Sequence, residues 1–296
     1  VTATGKDLSL GITSLSASVI IPTMNRPRDL VRCLDSIIAQ TRRPKEVVVV
    51  DDGESDAGAL AAQFEGTGIL FVYVKKDVRG ICRSRNQGIL RSSGDVLVFL
   101  DDDTELDPGY IAAYLEVFER DPSGKIGGLG GRPTRFRNGV LLPEDHAVNW
   151  EERLRRFFLL SSAHGGRVLP SGFRTSMVDP HGIVPVEFLQ GGNMALRRQV
   201  FNEFSFDETL DRLSGYAPGE DVMFSYPVSK RFSLFSIDTA RMKHFHTVGG
   251  RPNRFLLART RVVHQHRFLH ELVNGTLLNR LAFGWAMIGL VVTHAL

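Results

Sequence analysis

Two runs of consecutive apolar residues, each ending in carboxylates, constrain this chain more than any other feature. Glu46 to Val50 carries four valines in succession and leads into Asp51-Asp52-Gly53, and Val96 to Leu100 leads into Asp101-Asp102-Asp103. A run that is apolar at every position, not at alternate ones, belongs to a strand covered on both faces, as in a parallel sheet packed between helices. The intervening segments supply the helices. Leu30, Cys33, Leu34, Ile37 and Ile38 recur at helical spacing, Ala57 to Phe64 and Arg83 to Ser92 read as helical, and Ile111, Tyr114, Leu115 and Phe118 mark a further helix after Pro108. With Ser18 to Ile21 and Ile69 to Val74 as strands, the rhythm is βαβαβ, which implies right-handed crossovers in a mostly parallel sheet.

Composition bounds what such a sheet can serve. At 296 residues, 43% hydrophobic and 23% charged, the chain can bury the core of one large α/β domain, and a wholly disordered chain is excluded. Lys and Arg number 36 against 33 acids, so a global nucleic-acid footprint is missing and no nucleic-acid partner is expected. Cys33 and Cys82 have no CxxC spacing, which excludes a disulfide framework and a zinc-thiolate site and fits a reducing compartment. No signal-peptide pattern precedes the first strand.

The α/β rhythm stops near Arg132. Residues 132–185 are rich in Arg, Gly and Pro, with few clear strands. Order resumes at Val186 to Leu189, followed by a turn at Gly191-Gly192 and an expected helix near Arg197. Residues 241–280 hold eight Lys or Arg and one acid, Glu271, with Phe255, Val262, His266, Leu269 and Val273 on one helical face. Leu281 to Leu296 is uncharged and slightly short for a bilayer span, which needs about 20 residues. It suits a buried helix, an interfacial helix or part of a span. The expected division is an N-terminal extension 1–16, a first half 17–131, a second half 132–250 of the same domain, and C-terminal helices 251–296.

Ligands of open parallel sheets bind at the carboxyl ends of the strands. Both acidic clusters fall there, although strand-end aspartates also make ordinary turns. Three adjacent carboxylates repel one another and call for a counter-charge. An all-oxygen donor set suits Mg2+ or Mn2+, and such ions bridge carboxylates to phosphates. Other phosphate-binding signatures do not fit: GxxxxGK[ST] is missing, and Gly127-Gly128-Leu129-Gly130-Gly131 does not match GxGxxG.

Six segments together resemble a known family. VIIPTMNRP (Val19 to Pro27), VVVVDDG (Val47 to Gly53), RSRNQGI (Arg83 to Ile89), SGDVLVFLDDD (Ser93 to Asp103), QGGNMALRR (Gln190 to Arg198) and GEDVMF (Gly219 to Phe224) stand in the order seen in family 2 glycosyltransferases of the GT-A fold. The resemblance spans roughly residues 17–248. It implies a Rossmann-type, mostly parallel central sheet flanked by helices, with a C-terminal helical extension. It also implies transfer of a sugar from a nucleoside diphosphate, UDP above others, to a glycan or lipid-linked hydroxyl with inversion.

By the same resemblance, Pro22, Thr23, Asn25 and Asp52 line the nucleoside site, with Asp52 accepting a hydrogen bond from the base. Arg83 or Arg85 approaches the diphosphate. Asp103 holds Mn2+ or Mg2+, while Asp101 or Asp102 meets the ribose or a metal-bound water. His244 and His246 stand where related enzymes place a histidine near the metal or diphosphate. Gly191, Gly192 and Asn193 resemble the loop beneath the transferred sugar. Glu220-Asp221 resembles the family's acidic pair, Asp221 being the general base, and a carboxylate beside an acceptor hydroxyl can do that work. An acid at a helix start is also favoured by the helix dipole alone.

Two other classes compete. A sugar-nucleotide nucleotidyltransferase would need a glycine-rich basic loop after the first strand, and IIPTMNRP lacks the glycines. A non-catalytic nucleotide-sugar-binding protein would not need Asp101, Asp103 and Asp221 together. The basic C-terminal region leads to an expected cytoplasmic enzyme, peripheral to the inner face of an anionic membrane.

Overall fold

The computed structural model describes residues 14–137, 140–142, 150–177, 180–213, 215–246, 253–273 and 275–295. Most of the expected N-terminal extension lies outside them. The elements in chain order are β1 (Ala17–Thr23), α1 (Pro27–Ile38), β2 (Glu46–Asp51), α2 (Ala57–Ala62), β3 (Leu70–Lys75), α3 (Ile81–Arg91), β4 (Val96–Leu100), β5 (Thr104–Leu106), α4 (Tyr110–Glu119) and β6 (Ile126–Arg137). There follow β7 (Val140–Leu141), α5 (Trp150–Phe157), β8 (Ile183–Pro185), β9 (Asn193–Arg197), α6 (Glu220–Arg231), β10 (Ser233–His244), α7 (Arg254–Glu271) and α8 (Leu277–Ala295).

The main path of the sheet is β3-β2-β1-β4-β9-β6-β10-β5. The first four strands pair in parallel, as their uninterrupted apolar runs require. Alternate residues of those runs feed two cores. Val19, Ile21, Val47, Val49 and Val98 pack with α1 and α4, whereas Ile20, Val48, Leu97 and Phe99 pack with Cys82 of α3 and with Phe224 and Val228 of α6. Beyond β4 the sheet becomes mixed. β9 runs antiparallel to both β4 and β6, and β10 returns parallel to β6. Residues 193–197 therefore form a strand where a helix was expected near Arg197, and only a 3-10 turn, Arg198–Asn202, follows. The gap between β4 and β6 takes an extended segment, and Met194, Ala195 and Leu196 fill it completely buried. Val186 to Leu189 is packed but lies just after β8, not in a strand.

β1 sits between β2 and β4, the place where strand order reverses, so the crevice opens at the ends of these three strands. The C-terminal helices close the other half. The expected apolar face of α7 is packed only at its C-terminal end: Leu269 is buried and Val273 half-buried, whereas His266 is exposed, Phe255 is 80% exposed and Val262 47% exposed. The packed face carries Thr260, His264 and Phe268, at helical spacing of four, with Leu269. Two of these are polar, which is why hydrophobic periodicity found Leu269 but not Thr260 and His264. Among the described residues, no helix is long and apolar enough to cross a membrane.

Candidate active site

The end of β2 shows how two adjacent aspartates divide their work. Asp51 is fully buried and accepts hydrogen bonds from the Gly53 and Ser55 N–H groups and from the Tyr73 hydroxyl. Burial pushes its carboxyl up, but these bonds outweigh burial and hold it below the ordinary aspartate value. It shapes the turn. Asp52 faces the next loop, with one oxygen on the Gly80 N–H at 2.9 Å and the other 2.9 Å from Lys76 Nζ. Pro22 is half-buried on neighbouring β1. Asn25 is exposed, in the left-handed region at φ 56°, and its side-chain oxygen accepts from the Glu54 N–H. The expected nucleoside residues thus share one rim, and Lys76 joins them without any sequence signal.

The triplet after β4 is sorted in the same way. Asp102 is buried, accepting from Thr23 Oγ1 at 2.8 Å and from Arg26 Nη1 at 3.1 Å. Burial pushes its carboxyl up to about 6, against the pull of Arg26 and Thr23. Thr23 and Asp102 are therefore spent on each other, and Arg26, also 3.4 Å from Asp103, holds the turn. Asp101 and Asp103 instead meet His244. The register of β10 against β5 sets His244 opposite Thr104, one residue past the triplet. Its Nε2 lies 3.1 Å from Asp103 Oδ1 and 3.7 Å from Asp101 Oδ2. One donor atom from each of Asp101, Asp103 and His244 lies within 4.8 Å of the others, a spacing that can hold a metal ion. Burial pulls the His244 imidazole down, but the bond to Asp103 and the two carboxylate charges outweigh it and raise it above the ordinary histidine value. His246, paired with His244 at the sequence level, is not in this cluster. It turns at φ 44° and stacks its ring on His244 at 4.0 Å.

Across the crevice, the Gly191-Gly192 turn is as expected, and its glycines leave their Cβ positions to two side chains of the site. A Cβ at Gly191 would run into the Arg85 guanidinium, and one at Gly192 into the Asp101 carboxylate. Arg85 is buried against Phe206 and donates to Glu220 Oε1 at 2.7 Å. Burial and the neighbouring Asp221 charge push Glu220 up to about 7 despite Arg85. Asp221 opens α6 after Gly219, whose left-handed backbone at φ 88° turns the chain into the helix. Asp221 Oδ2 accepts from the Gly191 N–H at 3.3 Å, and Oδ1 lies 3.4 Å from Arg174 Nη1.

Two expected site residues have other employment. Arg83 bonds Glu208 at 3.0 Å. Asn193 is buried, accepting from Tyr110 and Tyr114 and donating to the Gly131 carbonyl, so its side chain serves the core between β9 and α4. Arg26 and Arg174 had no spacing signal and could not be found from the sequence. A cavity of about 520 Å³ lies at the opposite ends of β6 and β10, between Lys125, Lys230 and Phe232, away from all of these groups.

The family model described as Glycosyl transferase family 2 matches residues 18–204. Glycosyltransferase GlyA of Streptococcus pneumoniae serotype 4 is 33% identical over 112 residues, 37% of this chain and 16% of that protein. Glucosyl-dolichyl phosphate glucuronosyltransferase of Haloferax volcanii is 30% identical over 135 residues, 44% of this chain and 43% of that protein. The aligned stretches thus span less than half of either relative. Among solved structures, GalNAc-T7 with UDP, GalNAc and Mn2+ superposes with a TM-score of 0.64 at 17% identity, over 95% of this chain and 57% of that one. At that identity the likeness is one of fold, and the fold is GT-A.

Proposed function

Because the chain belongs to glycosyl transferase family 2, we propose that it moves a sugar from a nucleoside diphosphate, UDP above others, to an acceptor hydroxyl, as an inverting hexosyltransferase. The observation that carries this reading is the meeting of Asp101, Asp103 and His244 at the end of β4, facing the Gly191-Gly192 turn and Asp221. Two carboxylates and one imidazole fit a divalent cation, and the imidazole favours Mn2+ over Mg2+. Such an ion, when bound there, would offset the charge that grows on the departing diphosphate.

The chain's own residues supply the rest. Asp52 with Lys76, and Pro22, form the nucleoside rim. Arg26 and Thr23 fix the turn that presents Asp101 and Asp103. The side-chain-free Gly191-Gly192 backbone leaves room for the Arg85 guanidinium and the Asp101 carboxylate beneath the sugar. Asp221 takes the acceptor proton as the acceptor attacks the opposite face of the sugar, and a single displacement of this kind inverts the anomeric centre. Glu220 anchors Arg85 beside it. The test is release of UDP from UDP-sugars with Mn2+, with and without acceptors. Asp221→Asn is expected to bind nucleotide normally and to lose at least about 100-fold in kcat. Normal turnover by Asp221→Asn with a dead Glu220→Gln would move the base to Glu220. Release of pyrophosphate from sugar phosphate and nucleoside triphosphate would support a nucleotidyltransferase, and nucleotide binding without turnover a non-catalytic binder.

The acceptor reading extends to a lipid surface. Leu277, Leu281, Ile288 and Val291 are each more than half exposed along one face of α8, while Ala286 and Gly289 pack inward on Phe158. Trp150 and Phe157 of α5 are exposed, Phe157 with its ring 5.2 Å from that of Trp285 on α8, and Arg153, Arg155 and Arg280 are exposed on the same two helices. An apolar stripe accompanied by arginines suits an anionic bilayer and a lipid-linked acceptor. The reading thus draws on the uncharged C-terminal run, now α8, and adds α5, while Phe255 and Val262 of the α7 stripe are exposed as well.

A further inference from the structure

Helices α7 and α8 lie, like Asp221, outside the stretch that the family model matches; α7 reaches the residues just before Asp221, and both helices reach the turn that carries Arg174. The polar face of α7 is the link. His264 is buried, and its Nδ1 lies 3.1 Å from the carbonyl oxygen of Pro218, three residues before Asp221. A carbonyl only accepts, so Nδ1 carries the proton in this bond. Burial holds the imidazole below its ordinary value, with Arg267 adding to the effect, so the neutral ring is the form present. On the other flank of Asp221 stands Arg174, carried on a turn whose carbonyls are tied to the same helices. Gln265 Nε2 donates to the Gly172 carbonyl at 2.6 Å, and Asn279 Nδ2 to the Pro170 carbonyl at 2.7 Å. Ser171 Oγ closes the turn onto the Leu159 carbonyl. Arg267 fixes α7 itself, through Asp207 at 2.7 Å and Thr209.

Both sides of Asp221 are therefore tied by side-chain bonds to α7, and the Arg174 side to α8 as well. Gly219 lies between Pro218 and Glu220 in the left-handed region, where a chain with few side-chain constraints needs an outside anchor to keep one conformation. We propose that His264 is a positioning residue for the general base. Its bond to Pro218 sets the start of α6 so that Asp221 stands over the Gly191-Gly192 turn. The role rests on the reading of Asp221 as the base. Gln265 and Asn279 hold Arg174 at the other oxygen of the same carboxylate.

Three substitutions in the full chain test this. His264→Phe keeps a ring of similar size and removes the donor. His264→Asn places an amide nitrogen where Nδ1 stands, and His264→Gln places it where Nε2 stands, out of reach of Pro218. The readouts are amide hydrogen exchange over residues 217–223, and kcat and KM for UDP release from UDP-glucose and UDP-N-acetylglucosamine with Mn2+. Loss of one buried hydrogen bond predicts exchange about tenfold faster in that segment and kcat about tenfold lower in His264→Phe, with donor KM within about twofold of the parent. His264→Asn is expected to restore both. If His264→Phe does not fold, His264→Gln is read in its place against His264→Asn. Parent-like exchange and kcat in the donor-less variants, a defect confined to KM, or no rescue by asparagine would overturn the proposal. Asp221→Asn is measured alongside. Its normal turnover would overturn the base assignment and the positioning role with it, whereas a dead Asp221→Asn beside a normal His264→Phe would overturn the positioning role alone.

Discussion

The proposed metal site makes pH a test of His244. Its imidazole must be neutral to ligate, and Asp103 and Asp101 favour its protonated form. Mn2+ affinity, measured by calorimetric titration, is expected to rise as pH increases through and above the ordinary histidine range of about 6.5. His244→Ala should weaken binding and flatten that dependence. Asp103→Ala should reduce affinity by at least about 100-fold, because it removes a ligand and also the contact of Arg26 with that carboxylate. Unchanged Mn2+ affinity in Asp103→Ala would remove the metal from this site. Glu220 gives a second pH effect, on stability. Its carboxyl rises from an ordinary 4.5 to about 7 in the fold. A raised value means that its contribution is complete below about pH 4.5 and is lost as pH climbs through about 7. The unfolding free energy should therefore decline across that window by roughly 1–3 kcal/mol, and Glu220→Gln should lack the decline. Denaturant titrations at several pH values read both slopes.

At the scale of elements, the Gly191-Gly192 turn is the most sensitive joint, because it passes between Arg85 and Asp101 with no room for a side chain. Gly192→Ala should fold, with β9 still paired, but push Asp101 out of the cluster and lower Mn2+ affinity by at least about tenfold. Parent-like affinity in that variant would mean that Asp101 is dispensable. This joint was legible in the sequence, as were β2, β4 and the acidic ends, because a strand covered on both faces leaves an unbroken apolar run. β9 was not, since NMALRRQV carries no strong periodicity and its state is decided by the empty lane between β4 and β6. Leu269 and Val273 of α7 were legible, but its polar contacts were hidden for the converse reason. The helix binds through His264 and Gln265 to backbone carbonyls, and carbonyl acceptors leave no trace in a sequence. The same holds for Arg26, Lys76 and Arg174, whose partners are 47 to 77 residues away or lie across a strand end.

At the scale of the molecule, the apolar face of α8 is the surface feature with the plainest consequence. Co-sedimentation with phosphatidylglycerol vesicles is expected, weakening with salt and absent with phosphatidylcholine alone. Leu281→Glu combined with Ile288→Glu should abolish it while UDP release in solution stays at the parent level. Recovery of the parent chain in the supernatant with both vesicle types would refute the lipid reading. The brace of α7 and α8 on the loops around Asp221 has a consequence of another kind, in time. Ribosomes add roughly 5–20 residues per second, and domains fold from the N-terminus as they emerge. β1 to β4 and the Asp101-Asp102-Asp103 turn are complete long before His264 and Asn279 have been made. A nascent chain therefore carries the crevice at the ends of these strands, with its carboxylates, for some seconds before the bonds from His264 and Asn279 that fix the loops around Asp221 can form.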